Sequence, residues 1–200
     1  MTKKPLFIVL EGLDGSGQST QAALLKKFLE KMKYKVLLTK EPTLDSRSGR
    51  KIRMALEHKI KLESKELQYL FTKDRALHLK KTILPALKQG KVVISDRYFF
   101  STFAFGAASG VDLEYLIDQN KKFLHPDMTF ILDVNPRTSI SRIEKRGNPK
   151  ELFEKLEKLS RVRRFYVSFT KKFENVYMID GEKSVQEVFK QIKRRIISHG

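Results

Sequence analysis

One stretch near the N-terminus constrains the chain more than any other: Leu6-Phe-Ile-Val-Leu-Glu-Gly-Leu-Asp-Gly-Ser-Gly-Gln-Ser-Thr-Gln21. It starts as an apolar run, the pattern of a strand covered on both faces. It ends in residues at helical spacing, Ala22, Leu24, Leu25, Phe28, Leu29 and Met32. Between the two lies Gly12-x4-Gly17-Gln18-Ser19, the spacing of a loop that turns backbone N–H groups onto phosphate oxygens at a helix N-terminus. Gly12, Gly15 and Gly17 supply the backbone freedom, and the Ser19 hydroxyl is placed to reach Mg²⁺. The pattern calls for lysine where this chain has Gln18, whose amide donates hydrogen bonds but carries no charge. Losing that cation is expected to cost about 3–4 kcal/mol at the transition state, roughly 10²–10³ in rate. Nucleotide binding is therefore expected to suffer less than turnover.

Downstream, apolar runs alternate with helical periodicity. Further strands are predicted at Lys35–Thr39, Val92–Ser95, Met128–Leu132 and Val176–Ile179. Helices are predicted between them, with a break before Pro85, an N-cap at Asp112, a start at Asn135-Pro136, a long helix over Glu151–Phe173 and a last one capped by Ser184. This order predicts an α/β fold: a doubly wound, five-stranded parallel sheet flanked by helices, of the P-loop NTPase type. No repeat or low-complexity linker interrupts it, so residues 1–200 are expected to form a single domain.

Composition removes other possibilities. No apolar run approaches the roughly 18 residues of a membrane span, so no membrane association is expected and the chain reads as cytoplasmic. The absence of cysteine excludes disulfides, thiolate-bound zinc and thiol catalysis. The net charge of +18 favours anionic partners. Much of it, as at Lys26, Lys27, Lys31, Lys33, Lys190 and Lys193, falls on solvated helix faces. No nucleic-acid module accompanies it, so a nucleic-acid partner is not expected.

Two further groups of residues carry chemistry. Asp96 and Arg97 follow an apolar strand, where doubly wound sheets bind ligands. Asp96 could hold Mg²⁺ and Arg97 could clamp a phosphate. Asp133 also ends a strand and competes for the metal, with the strand beside the first one expected to decide. Phe71 and Arg75 are four residues apart on a predicted helix and share a face. A stacking ring and a guanidinium would suit a nucleoside monophosphate, although a core Phe beside a surface Arg is the commoner arrangement. The four histidines show no ligand spacing.

Taken in order, these segments resemble the thymidylate kinase family along nearly the whole chain. The residues that carry the resemblance are Glu11 through Thr20, Lys40-Glu41-Pro42, Phe71-x3-Arg75, Asp96-Arg97-Tyr98 with Ser101, Thr102 and Phe105, His125-Pro126-Asp127, and Asp180-Gly181. The resemblance implies phosphorylation of dTMP by ATP with Mg²⁺ in a cytosolic homodimer. It implies that Gly12, Leu13, Asp14, Gly15, Ser16, Gly17, Gln18, Ser19 and Thr20 bind the ATP phosphates. Arg146 and the Asp180-Gly181 turn would face adenine, and residues 147–163 would form a lid. Phe71 would stack on thymine, Thr102 with Ser101 would contact the base edge, and Arg75 and Arg97 would hold the monophosphate. Asp14 would lie near the sugar 3′-hydroxyl and the acceptor phosphate, forming the catalytic set with Gln18 and Arg97. Ser19 and Asp96 would bind the metal. Phe105 stands where many members have tyrosine, which removes a hydroxyl near the sugar 2′ position. With glycine at 15, a compensating cation is expected from the lid, where Lys150, Lys155, Lys158, Arg161 and Arg163 are candidates. Gln18 also supports a rival reading, a nucleotide-binding homologue that acts as a sensor or partner subunit; charge alone supports a nucleic-acid-binding ATPase.

Overall fold

A computed structural model of the chain describes residues 4–145 and 152–199. Its five strands are β1 (Phe7–Gly12), β2 (Val36–Lys40), β3 (Val92–Asp96), β4 (Met128–Asp133) and β5 (Val176–Asp180). They form one parallel sheet in the order β2-β3-β1-β4-β5. β2 to β5 each run one residue beyond the predicted C-terminal end, so Lys40, Asp96, Asp133 and Asp180 are strand residues rather than loop residues.

Successive residues of β1 face opposite sides of the sheet, and both sides are covered. Phe7 and Val9 enter a core with Phe99, Phe100, Phe103 and Phe169. Ile8 and Leu10 enter a second core with Ala22, Leu25, Leu29, Val188 and Ile192. Burying each such side chain stabilises the fold by about 1.5–3 kcal/mol. The second core faces α1 (Gln18–Lys31) and α9 (Val185–His199), while α5 (Phe99–Ala108) and α8 (Leu152–Lys172) cover the first.

Helix starts follow the local chemistry. Ser46 caps α2 (Arg47–Leu56) by accepting from the Gly49 N–H, and Asp112 caps α6 (Leu113–Asn120) through the Tyr115 N–H. Asn135 caps α7 (Pro136–Glu144). Ser184 and Glu187 exchange hydrogen bonds at the start of α9, a capping box. The break expected before Pro85 takes the form of a π-helical turn over Leu79–Ile83, between α3 (Ser64–His78) and α4 (Leu84–Lys88). Proline leaves the carbonyl four residues earlier without its usual donor, and a widened turn accommodates this. Among the described residues no helix is long and apolar enough to cross a membrane.

Candidate active site

The sheet order puts the ends of β3 and β4 on either side of the loop that follows β1. Adjacency therefore cannot choose between Asp96 and Asp133, because both strands neighbour β1. Their partners differ. Asp133 is held by the Arg163 guanidinium of α8 through Nε at 2.6 Å and Nη2 at 2.8 Å. Asp96 accepts from the Ser19 hydroxyl at 2.5 Å. A hydroxyl and a carboxylate side by side suit Mg²⁺, a hard cation that takes its other ligands from water and phosphate. The described residues contain no cluster of three or more His, Asp or Glu that would hold a metal alone. The donor set thus fits a phosphate-borne Mg²⁺.

The loop is shaped for anions. Gly12, Gly15 and Gly17 have φ of 154°, 83° and 95°. At Gly15 a Cβ would come within 2.8 Å of the Ser139 carbonyl on α7, so no side chain fits there. At Gly17 a Cβ would meet nothing within 4 Å; the positive φ itself calls for glycine. A pocket of about 300 Å³ opens here, lined by Asp14, Gly15, Gly17, Gln18, Ser19, Thr20, Lys40, Arg97 and Ile143.

Arg97 closes one side of that pocket from a left-handed backbone, φ 75°. A non-glycine residue there is strained, and such strain gathers at functional sites. The main chain is held by its N–H to Leu10 and by the Ser95 hydroxyl on its carbonyl. The guanidinium donates to Asp14 at 2.7 Å and Ser101 at 2.9 Å, and lies 5.4 Å from the Phe105 ring centre. Gln18 completes the set. Only one orientation of its amide satisfies both ends: the oxygen accepts from Arg97 Nε (2.8 Å) and Nη2 (2.9 Å), while the nitrogen donates to Ser16 Oγ (2.8 Å) and the Gly12 carbonyl (3.3 Å). Burial opposes the charge on Arg97, but Asp14, Glu11 and Asp96 outweigh it and hold the guanidinium protonated.

Behind Arg97 lies Glu11, fully buried. Its carboxyl receives the Tyr98 and Ser101 N–H groups and the Ser101 and Tyr166 hydroxyls. Burial pushes it from the ordinary 4.5 up to about 7, against the pull of Arg97 and these donors. The folded chain therefore retains a proton that the unfolded chain releases as pH rises from 4.5 to 7. This contribution to stability is complete below pH 4.5 and is lost as pH passes 7, at about 3 kcal/mol overall. Urea unfolding of wild type and Glu11→Gln from pH 5 to 8 should show wild type losing ground to the variant as pH rises. Parallel curves would contradict the buried, proton-retaining carboxyl.

A second buried network lies on α3. Arg75, 1% exposed, donates to Glu41 (2.9 Å), Asn120 (2.5 Å) and Thr102 (3.0 Å). His78 is 3.0 Å from the other Glu41 oxygen. Neighbouring Asp74 receives the Thr43 N–H and hydroxyl and the Ser46 hydroxyl, which fastens the 41–46 loop to α3. Phe71 is half-buried. Arg75 does not line the Arg97 pocket; it meets Thr102, the residue that the resemblance sets at the base edge.

On the far side, Asp133, Asn135, Arg137, Arg163, Asp180 and Glu182 are among the residues that line a cleft of about 850 Å³. The Gly181 carbonyl accepts two bonds from Arg142, each 3.2 Å. Arg146 and residues 147–151 of the expected lid lie outside the described residues, as does Lys150. Of the other lid candidates, Arg163 holds Asp133 and Arg161 lies 3.8 Å from Glu157. Sequence reasoning missed Tyr166 and gave Glu11 no role. Tyr166 shares helical spacing with Leu159, Val162 and Phe169, so it reads as a core position.

The glycine loop and the pocket at its mouth suit phosphate groups, whose charge Arg97 and Lys40 can offset. This defines a P-loop phosphotransferase. The thymidylate kinase family profile matches residues 10–192. A probable thymidylate kinase of Pyrococcus horikoshii is 43% identical over 192 residues, 93% of each chain. One from Thermococcus kodakarensis is 43% identical over 198 residues, covering 94% of this chain and 95% of the relative. The thymidylate kinase of Leptospira borgpetersenii is 38% identical over 192 residues, covering 94% and 92%. The chain belongs to the thymidylate kinase family.

Proposed function

We propose that this chain, as one domain, transfers the γ-phosphoryl group of ATP to dTMP. An oxygen of the dTMP phosphate forms the new P–O bond as the γ-phosphorus separates from the β,γ-bridging oxygen, giving dTDP and ADP. That acceptor oxygen is already anionic, so no general base is needed and positioning and charge carry the catalysis. The reading rests above all on Arg97, whose guanidinium spans from the phosphate loop at Gln18 to Asp14 and Ser101. A donor phosphate and an acceptor phosphate could meet at that one cation.

Gly12 through Thr20 hold the ATP phosphates, and Asp14 sets Arg97 and faces the sugar 3′-hydroxyl. Phe71 stacks on thymine and Thr102 with Ser101 contacts the base edge. Arg75 acts at that same end through Thr102 and Asn120, instead of holding the phosphate. Ser19 and Asp96 would hold Mg²⁺, which would supply positive charge to offset part of that on the phosphates. The Asp180-Gly181 turn would face adenine. The same reading makes the protein a cytoplasmic homodimer, which sedimentation of the purified chain would test.

The experiment is ADP release from ATP and Mg²⁺ with dTMP, dUMP, dGMP or dCMP as acceptor. Highest kcat/KM is expected with dTMP. Equal rates with all four acceptors, or none with any, would overturn the assignment.

A further inference from the structure

The lysine missing from the phosphate loop raises the question of which side chain supplies its charge. Gln18 is neutral and also occupied: its oxygen takes two Arg97 donors, and its nitrogen is bonded to Ser16 and Gly12. Arg97 in turn is shared among Gln18, Asp14 and Ser101. One other cation lines the pocket among the described residues, and it is Lys40.

Lys40 is the last residue of β2, in register with Asp96 on β3. Its Nζ stands 3.7 Å from Asp96 Oδ2, too far for a hydrogen bond, and its side chain is 63% exposed. It faces the pocket beside Ser19 and Asp96, where the phosphates and their metal would gather. An ammonium on a flexible stem is a point charge with three rotatable donors, able to follow a group that moves.

We propose that Lys40 is a catalytic residue that substitutes for the missing loop lysine, its ammonium contacting the transferring phosphoryl oxygens from the β2 side, while Gln18 positions Arg97. The inference rests on the phosphoryl-transfer reading above. It also explains how a loop with Gln18 can belong to a working kinase.

The absence of cysteine makes the test clean. In Lys40→Cys, position 40 is the only thiol, and bromoethylamine alkylates it to a lysine-like ammonium, whereas iodoacetamide leaves it neutral. At saturating Mg²⁺, Lys40→Cys and Lys40→Gln should lose about 10²–10³-fold in kcat, the scale of one lost transition-state donor. The KM for dTMP and the affinity for ADP should stay within a few-fold, and Lys40→Arg should retain most of the rate. Aminoethylation should restore kcat at least tenfold and the neutral adduct should not. The proposal is overturned if the variants stay within threefold of wild type, if excess Mg²⁺ alone abolishes the loss, or if aminoethylation restores nothing. Inactivity of wild type toward dTMP would instead overturn the kinase reading. Binding would then decide for Lys40: wild type should prefer a non-hydrolysable ATP analogue over ADP, and Lys40→Gln should lose that preference. An unchanged preference would overturn the proposal.

Discussion

Arg97→Ala is expected to lower kcat/KM for dTMP by about 10³–10⁴-fold, the largest effect of any single side chain in the site. The estimate combines a lost charge-assisted clamp on phosphate with the loss of what Arg97 organises. Its guanidinium holds Asp14 at 2.7 Å and Ser101 at 2.9 Å and takes both lone-pair directions of the Gln18 amide. Arg97→Lys should recover little, because a single ammonium cannot reproduce a planar fork engaged on three sides. Steady-state kinetics at saturating Mg²⁺ check this, and a loss under tenfold for Arg97→Ala would show that Arg97 is structural.

Glu41→Ala is expected to destabilise the fold by about 3–5 kcal/mol. The carboxylate is 3% exposed and neutralises Arg75, 1% exposed, while also bonding His78. Its removal strands a buried guanidinium, and the penalty of that charge exceeds any cavity left behind. For a chain of this size the loss corresponds to a Tm drop of roughly 6–20 °C. Arg75→Met should cost less than Glu41→Ala, and the double variant less than the two costs summed, because no unpaired charge remains. Urea unfolding of the four proteins closes that cycle, and additive costs would contradict the coupling.

The fold was largely legible because its signals are local. Apolar runs marked all five strands, and Asp112, Asn135 and Ser184 marked helix starts within their own first turn. The phosphate loop was legible for the same reason, since its glycines and Ser19 are neighbours in the chain. What joins distant segments was not. The commoner arrangement for Phe71 and Arg75, a core ring beside a surface guanidinium, is inverted: Arg75 is buried and Phe71 only partly so. Arg75 can be buried because Glu41, Thr102 and Asn120 converge on it from 27 to 45 residues away, which no periodicity encodes. Asp96 and Asp133 were alike as strand ends, and only Ser19 on one and Arg163 on the other separate them. Lys40 looked like the start of a loop, yet the strand extends through it and pairs it with Asp96.

Gln18, the one departure from an otherwise regular phosphate loop, leaves a single claim at the centre: the loop still supports transfer to dTMP rather than binding alone. Chromatographic quantification of ADP and dTDP from one reaction of wild-type chain, ATP, Mg²⁺ and dTMP tests it most directly. The account predicts one dTDP for every ADP, with negligible ADP when dTMP is omitted. ADP without dTDP, or neither product from a chain that binds both nucleotides, would contradict it.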